Sequence, residues 1–202
     1  MLEKFHVAKE DIIHIEEERL RSVTKEILMT QDISEKDALL ATDALIKADL
    51  RGVESHGVSN MLRAYLGAFK SNSLNPKPNW KIVKETASCA TINSDNGLGI
   101  VVAPQAMEIA VEKAKKTGAG IVTMNNCGHL GMLAYHSMIA SDNDMIGTTM
   151  AACSPRMVPT YSSVRALGTN PISYSAPADK LPDFIFDAAM TSVAGNKIVL
   201  AS

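Results

Sequence analysis

The segment Ser-Asn-Ser-Leu-Asn-Pro-Lys-Pro-Asn, residues 71–79, separates two parts of the chain that differ in pattern. Its two prolines fix φ and lack a backbone N–H, and its Asn and Ser residues favour turns. The segment is therefore predicted to be an extended linker rather than a helix. We place in it the boundary between a helical part, residues 1–75, and a sheet-containing part, residues 76–202.

Three helices are predicted before the linker. The second covers residues 34–50, because Ser34 stands three residues before Asp37 and such a pair satisfies free N–H groups at a helix start. The third covers about residues 58–69 and presents one apolar face to a core. In the first helix, apolar residues at roughly helical spacing face away from the charged ones. They are Ile12, Ile15, Leu20, Val23 and Ile27.

Strands and helices alternate after the linker, which is typical of an α/β layer with helices packed on a sheet. Gly97 and Gly99 precede a helix, but the third glycine and the later acidic residue of a dinucleotide fingerprint are missing. The predicted fold class is therefore α/β without a Rossmann site. The predicted strands are residues 90–94, 120–124, 145–152, 171–176 and 183–189, and the predicted helices are residues 101–116 and 130–141.

Composition excludes several classes of protein. Lys and Arg number 20 against 22 Asp and Glu, for a net charge of -2, so no clustered positive charge favours a nucleic-acid partner. No apolar run reaches the length of a membrane span and the N-terminus lacks the apolar core of a signal peptide, so we expect a cytoplasmic protein. Cys89, Cys127 and Cys153 form no Cys-x-x-Cys pair, which favours reduced thiols over disulfides or zinc.

The motif Glu54-Ser55-His56-Gly57 is the first candidate for chemistry. A histidine at a helix start titrates near neutral pH, the serine can hold one ring nitrogen, and the glycine lets another molecule approach. The alternative is a loop histidine beside a helix-capping serine, and the short motif does not decide between them.

The second candidate is the turn Asn125-Asn126-Cys127-Gly128-His129-Leu130-Gly131, between a strand and a helix. Ligands of α/β proteins collect at the carboxyl ends of strands, so His129 is well placed, although a glycine-rich turn needs no function. Cys127 is a poor candidate nucleophile because no residue that would orient it is evident. His136 is expected to be structural, and no ligand spacing supports a metal site.

Two weaker candidates are the turn Gly168-Thr169-Asn170-Pro171 and the segment Asp187-Ala188-Ala189-Met190-Thr191. Small residues after a strand let a flat or phosphorylated ligand approach the backbone, and an aspartate there can accept hydrogen bonds from ribose hydroxyls. Each segment taken singly is equally compatible with an ordinary turn.

Taken in order, these motifs resemble one family. The chain, from about Ile15 onward, is similar to the malate/L-lactate/sulfolactate dehydrogenase-like oxidoreductases, which include ureidoglycolate dehydrogenase, diketogulonate reductase and an imine reductase for cyclic amino acids. The resemblance implies an NAD- or NADP-linked cytoplasmic homodimer with a non-Rossmann cofactor domain. Its active site is expected between the helical part and that domain. Members are usually much longer, so we expect this chain to be incomplete at its C-terminus.

The resemblance also implies roles for individual residues. His56 and His129 match the two active-site histidines, and Ser55 matches the neighbouring serine. Many members have an arginine where this chain has Asn60, and Arg63 one helical turn later could replace it as a contact for the substrate carboxylate. The residues implied in cofactor binding are Cys153, Thr169, Asn170, Asp187, Ala188, Ala189 and Thr191.

The function implied is hydride transfer between NAD(P) and C2 of a small 2-hydroxy or 2-oxo acid of the malate, lactate, sulfolactate or ureidoglycolate type. His56 is the first choice for exchanging the proton of the C2 oxygen, with His129 binding the same oxygen, and the reverse assignment stays open. One alternative is reduction of a cyclic imine carboxylate. Another is an inactive fragment that retains only binding or dimer contacts.

Overall fold

The computed structural model describes residue 10, residues 12–192, and residues 195 and 198. Three helices precede the linker, as predicted: α1 (Glu17–Met29), α2 (Glu35–Leu50) and α3 (Val58–Lys70). A single 3₁₀ turn, Glu54–His56, joins α2 to α3. The chain therefore reaches the first histidine motif between two helices.

Local signals set the start of α2 but not that of α1. The Ser34 hydroxyl oxygen accepts a hydrogen bond from the Asp37 N–H at 3.1 Å, which confirms the predicted cap. Ile12 and Ile15 lie before α1, and they are 47% and 58% exposed. The predicted first helix was thus too long at its start, because apolar spacing favours a helix only where a core is available to bury that face.

The second part contains two three-stranded sheets with helices packed against them, which confirms the α/β class. Among the described strands, only β2 and β3 run parallel, and the other strand pairs are antiparallel. The single predicted layer is therefore divided, and neither sheet has the parallel arrangement of a Rossmann domain. The first sheet contains β1 (Lys81–Glu85), β2 (Cys89–Asn93) and β3 (Ile121–Asn125). The second contains β4 (Gly147–Met150), β5 (Ile172–Ala176) and β6 (Phe184–Ala188).

Helix α4 (Gly99–Thr117) lies close to its predicted position, whereas α5 (Ala134–Ser141) begins four residues later than predicted. Gly131 interrupts the segment before α5 with a φ of 66°, in the left-handed region. The first N–H of α5, on Ala134, donates to the carboxylate of Asp187 at 2.7 Å. A carboxylate 53 residues away thus marks the helix start, and no local sequence signal could show it.

One buried apolar cluster joins elements from both sides of the linker. It combines residues of α1, α2 and α3 with residues of α4 and α5. Representative members are Leu28, Leu45, Tyr65, Ile100 and Tyr135. Because both parts contribute to this core, the residues just after α2 and those just after β3 are held at one place. Within the described residues, no helix combines the length and hydrophobicity that crossing a bilayer requires.

Candidate active site

The position of His56 depends on a contact between Asp49 and the start of α3. The Asp49 carboxylate accepts a hydrogen bond from the Val58 N–H at 2.9 Å, which folds the intervening turn back against the end of α2. Gly57 is buried, and a Cβ built on it would overlap the Asp49 carboxyl group. The close approach expected at this glycine is thus made by the protein's own Asp49. Glycine is needed so that the Ser55-His56 turn can close.

The position of His129 depends on the beginning of α4. The Gly128 N–H donates to the Gly97 carbonyl at 2.9 Å. Gly99 lies so close to the carbonyl oxygens of Gly128 and His129 that a Cβ there would collide with both. The turn after β3 is therefore packed onto the first residues of α4, and His129 is directed toward the end of α2.

These two anchored turns bring the predicted histidines together. The rings of His56 and His129 stack with centroids 5.4 Å apart and planes inclined by 13°. The Ser55 hydroxyl lies 2.8 Å from His56 Nδ1, and the Tyr65 hydroxyl lies 2.9 Å from His129 Nδ1. Each Nδ1 thus has a protein partner, whereas neither Nε2 has a hydrogen-bond partner among the described residues. Two free Nε2 atoms on neighbouring rings suit a polar ligand.

Burial keeps both imidazoles neutral near pH 7. Burial lowers the pKa of His56, and the negative charge of Asp187 partly opposes this shift. Burial also lowers the pKa of His129, and a positive charge on His56 would lower it further. Because His129 is also exposed to solvent, water offsets part of this effect. A neutral histidine can donate from one ring nitrogen and accept at the other, as proton transfer at a substrate oxygen requires.

Asp187, near the end of β6, lies close enough to His56 for its charge to shift the pKa of that histidine. Burial raises the pKa of this carboxyl group, while the Ala134 N–H and the charge of His56 oppose the shift. The side chain therefore caps α5 and also supplies a carboxylate that favours a proton on His56. The sequence placed Asp187 only in a cofactor-binding loop.

The other predicted cofactor residues come from three adjacent segments. The Cys153 N–H donates to the Asn170 side-chain oxygen at 3.0 Å, and the Met190 N–H donates to the Thr169 carbonyl at 2.8 Å. Ala188 pairs with the first residue of β5, directly after the Asn170 turn. These segments between residues 153 and 191 thus adjoin one another, and Ala189 and Thr191 follow directly after Ala188. The Thr191 hydroxyl is buried without a hydrogen-bond partner in the described part of the chain.

The predicted substrate contacts on α3 differ in their availability. The Asn60 amide donates to the Glu54 carbonyl at 2.7 Å, so it stabilises the 3₁₀ turn that carries His56. Arg63 is exposed, and no described acidic side chain pairs with it. The Asn60 amide is thus already engaged, and Arg63 retains a guanidinium that can bind a carboxylate. Both roles stay predictions.

The other candidate groups, namely a reactive thiol, a metal site, a groove and His136, do not form part of the histidine pair. Burial raises the pKa of the Cys127 thiol, so the thiolate is disfavoured. The described residues contain no group of three or more His, Cys, Asp or Glu side chains arranged to hold a metal ion. A groove of about 430 Å³ lies between β1 and α4, but none of the predicted site residues lines it. His136 is 1% exposed and its Nε2 lies 2.8 Å from the Leu130 carbonyl, which favours the predicted structural role.

The model of the malate/L-lactate dehydrogenase family matches residues 15–202 of this chain. The chain belongs to that family. This result confirms the resemblance inferred from the ordered motifs around His56, His129, Asn170 and Asp187.

Individual family members match nearly all of the chain. Malate dehydrogenase of Pyrococcus abyssi is 40% identical over 198 residues, which make up 98% of this chain and 54% of that protein. L-Sulfolactate dehydrogenase of Methanocaldococcus jannaschii is 40% identical over 176 residues, 87% of this chain and 51% of that protein. The solved structure of malate dehydrogenase from Pyrococcus horikoshii has a TM-score of 0.91 at 39% identity, covering 98% of this chain and 56% of that one. The chain thus spans about half the length of these relatives.

Two residues of this family member were missed as contributors to the site. Tyr65 lies in the third helix, which was predicted only to present an apolar face to a core, yet its hydroxyl contacts His129. The available signal was a tyrosine at a position where phenylalanine would fill the core equally well, since a buried hydroxyl needs a partner. Asp49 falls within the predicted second helix, residues 34–50, and was not singled out. No local pattern shows that its carboxylate reaches Val58 nine residues later.

Proposed function

We propose that the protein is a nicotinamide-dependent dehydrogenase that moves a hydride between NAD or NADP and C2 of a small 2-hydroxy or 2-oxo acid. The observation that carries this proposal is the stacked pair of His56 and His129, with each Nδ1 engaged by the protein and each Nε2 free. The names of the matched malate and sulfolactate dehydrogenases support the substrate class. Homodimeric assembly and a cytoplasmic location, implied by the same family resemblance, belong to this proposal.

The second sheet offers a surface that fits a nicotinamide cofactor. The turns at Cys153 and Asn170 and the segment Ala188-Ala189 carry small or polar side chains, so a flat ligand can approach the backbone. The buried hydroxyl of Thr191 lacks a partner among the described residues and can bond to such a ligand. These residues would hold the cofactor, which supplies the hydride chemistry when it is bound.

The histidine pair would exchange the proton of the substrate oxygen and polarise that oxygen. Both rings are neutral near pH 7, so His56 can accept the proton of a C2 hydroxyl at Nε2, with Ser55 holding Nδ1. The Asp187 charge then stabilises the imidazolium that forms on His56. His129 would bind the same oxygen and Arg63 would bind the substrate carboxylate, while Asn60 holds the turn that carries His56. In the reverse direction His56 returns the proton.

The test is carried out on the natural full-length protein. NADH or NADPH should bind with at least micromolar affinity, measured by fluorescence titration, and a panel of 2-oxo acids should support turnover. His56→Ala and His129→Ala should each lower turnover by on the order of 100-fold, the scale for losing a general acid or base. His14→Ala is the matched control, because His14 is exposed and lies outside the site.

Three outcomes would refute the proposal. One is that neither NADH nor NADPH binds, and the second is that no 2-oxo acid of the panel is turned over. The third is parental turnover in both site variants together with a much lower melting temperature, which would show that His56 and His129 are structural. A loss confined to one variant would identify that histidine as the proton carrier.

A further inference from the structure

Tyr65 is a buried residue with a polar contact at the site. Its side chain lies in the main apolar cluster and the residue is only 2% exposed. Its hydroxyl is 2.9 Å from His129 Nδ1, across 64 positions of sequence. Burial also raises the pKa of the phenol, so the hydroxyl keeps its proton at any ordinary pH.

A second donor meets the same nitrogen. The Gly131 N–H donates to His129 Nδ1 at 3.3 Å. A backbone amide can only donate, so this Nδ1 must act as an acceptor and carries no proton. The proton of the neutral ring then sits on Nε2, and the Tyr65 hydroxyl donates to Nδ1 as well.

We propose that Tyr65 is a positioning residue that, together with the Gly131 amide, holds His129 in the tautomer with its proton on Nε2. His129 then faces the substrate as a hydrogen-bond donor. This matches the oxygen of a 2-oxo acid, which can only accept. The tautomer follows from the contacts of His129 alone, and its use on a substrate oxygen rests on the proposed function.

Other features of the site also favour different roles for His56 and His129. A proton added to Nδ1 would face the Gly131 N–H, which can only donate, so the protonated form of His129 is disfavoured. Burial and the neighbouring His56 ring lower the pKa of His129 in the same direction. The charge of Asp187 opposes the lowering of the pKa of His56 but is not among the causes of the lowered pKa of His129. The two histidines thus differ in what the protein prepares them to do.

The decisive measurement is the protonation of the two ring nitrogens of His129. The natural full-length protein is labelled with ring-¹⁵N histidine and examined by solid-state NMR near pH 7.5, with the His129→Gln variant used to assign the signals. We expect the shift of an unprotonated nitrogen at Nδ1 and of a protonated nitrogen at Nε2. A protonated Nδ1 would overturn the proposal.

Tyr65→Phe keeps the packed ring and removes only the hydroxyl. Because the longer Gly131 contact then acts alone, the Nδ1 and Nε2 shifts of His129 should move toward each other as both tautomers become populated. Turnover with 2-oxo acids should fall by roughly 10-fold, the lower end of the loss when a partner that orients a functional imidazole is removed. Parental ring shifts in Tyr65→Phe would contradict the role assigned to the hydroxyl.

Tyr135→Phe is the matched control. Tyr135 is 8% exposed, and its hydroxyl donates to Asp43 at 2.8 Å. Removing it should lower the melting temperature while the His129 shifts and turnover stay parental. If the wild-type protein turns over no 2-oxo acid but shows the expected shifts, the proposed function is overturned and the Tyr65 assignment is supported.

Discussion

Replacing Gly57 by alanine tests whether the turn that carries His56 is closed by Asp49. The backbone of Gly57 is extended, with φ −85° and ψ −173°, so alanine meets no strain there. The three atoms nearest to a built Cβ all belong to the Asp49 carboxyl group. Gly57→Ala must therefore displace that carboxylate and break its hydrogen bond to the Val58 N–H.

The magnitude follows from what is lost. A side-chain bond to a free N–H at a helix start contributes about 1 kcal/mol, and a carboxylate at that end of the helix about 0.5 kcal/mol more. Gly57→Ala and Asp49→Ala should each destabilise the protein by about 1.5 kcal/mol. Without Asp49 the new methyl group has room, so the double variant should also lose about 1.5 kcal/mol. Independent effects would instead add up to about 3 kcal/mol.

Thermal unfolding measured by calorimetry on the natural full-length protein, at one fixed concentration, tests this coupling. The relatives are about twice as long as this chain, so the shift should be about 2 °C or less per kcal/mol. Each single variant should then melt about 2–3 °C lower, and the double variant should melt at nearly the same temperature as the singles. Gly67→Ala is the control in the same helix, because nothing lies within 4 Å of its built Cβ, and it should raise the melting temperature. Losses that add in the double variant would refute the reasoning.

Two further predictions concern charged groups. Asp187→Ala should weaken NADH or NADPH binding in a fluorescence titration, and it should also lower the melting temperature because the Ala134 N–H loses its acceptor. Asp187→Asn should restore most of the stability. Unchanged affinity in both variants would remove Asp187 from the cofactor site. Burial lowers the pKa of His136, so the folded state resists its protonation and stability should fall as pH drops below about 6.5. His136→Gln should flatten this dependence in melts at pH 5–8, and an equally steep curve would exclude His136 as a source.

Local patterns in the sequence predicted most of the helices and strands. Ser34 marks the start of α2 and Gly118 the end of α4, where its φ is 83°, and both act through contacts with residues nearby in sequence. Strand β1 was not predicted. All five of its residues are exposed, so they show none of the alternation between apolar and polar residues by which a half-buried strand is recognised.

The candidate site was predicted in part. The motifs identified His56, His129 and Ser55, and the structure places all three at one position. The partners of these residues were not identified, because a hydrogen bond across 64 positions leaves no periodic pattern in the sequence. The division of the chain at residues 75 and 76 stays a prediction.

The sequence by itself determined those helix starts and strand ends that capping and turn-forming residues mark, since these preferences act over a few residues. It also determined the family, through four motifs in a set order. Only the tertiary structure decided that the two histidine rings stack and that Asp187 acts on His56. Only the structure decided, too, that the Tyr65 hydroxyl contacts His129 Nδ1. These contacts exist because one apolar core packs α2, α3, α4 and α5 together, and the burial of that core places side chains that no local preference brings near each other.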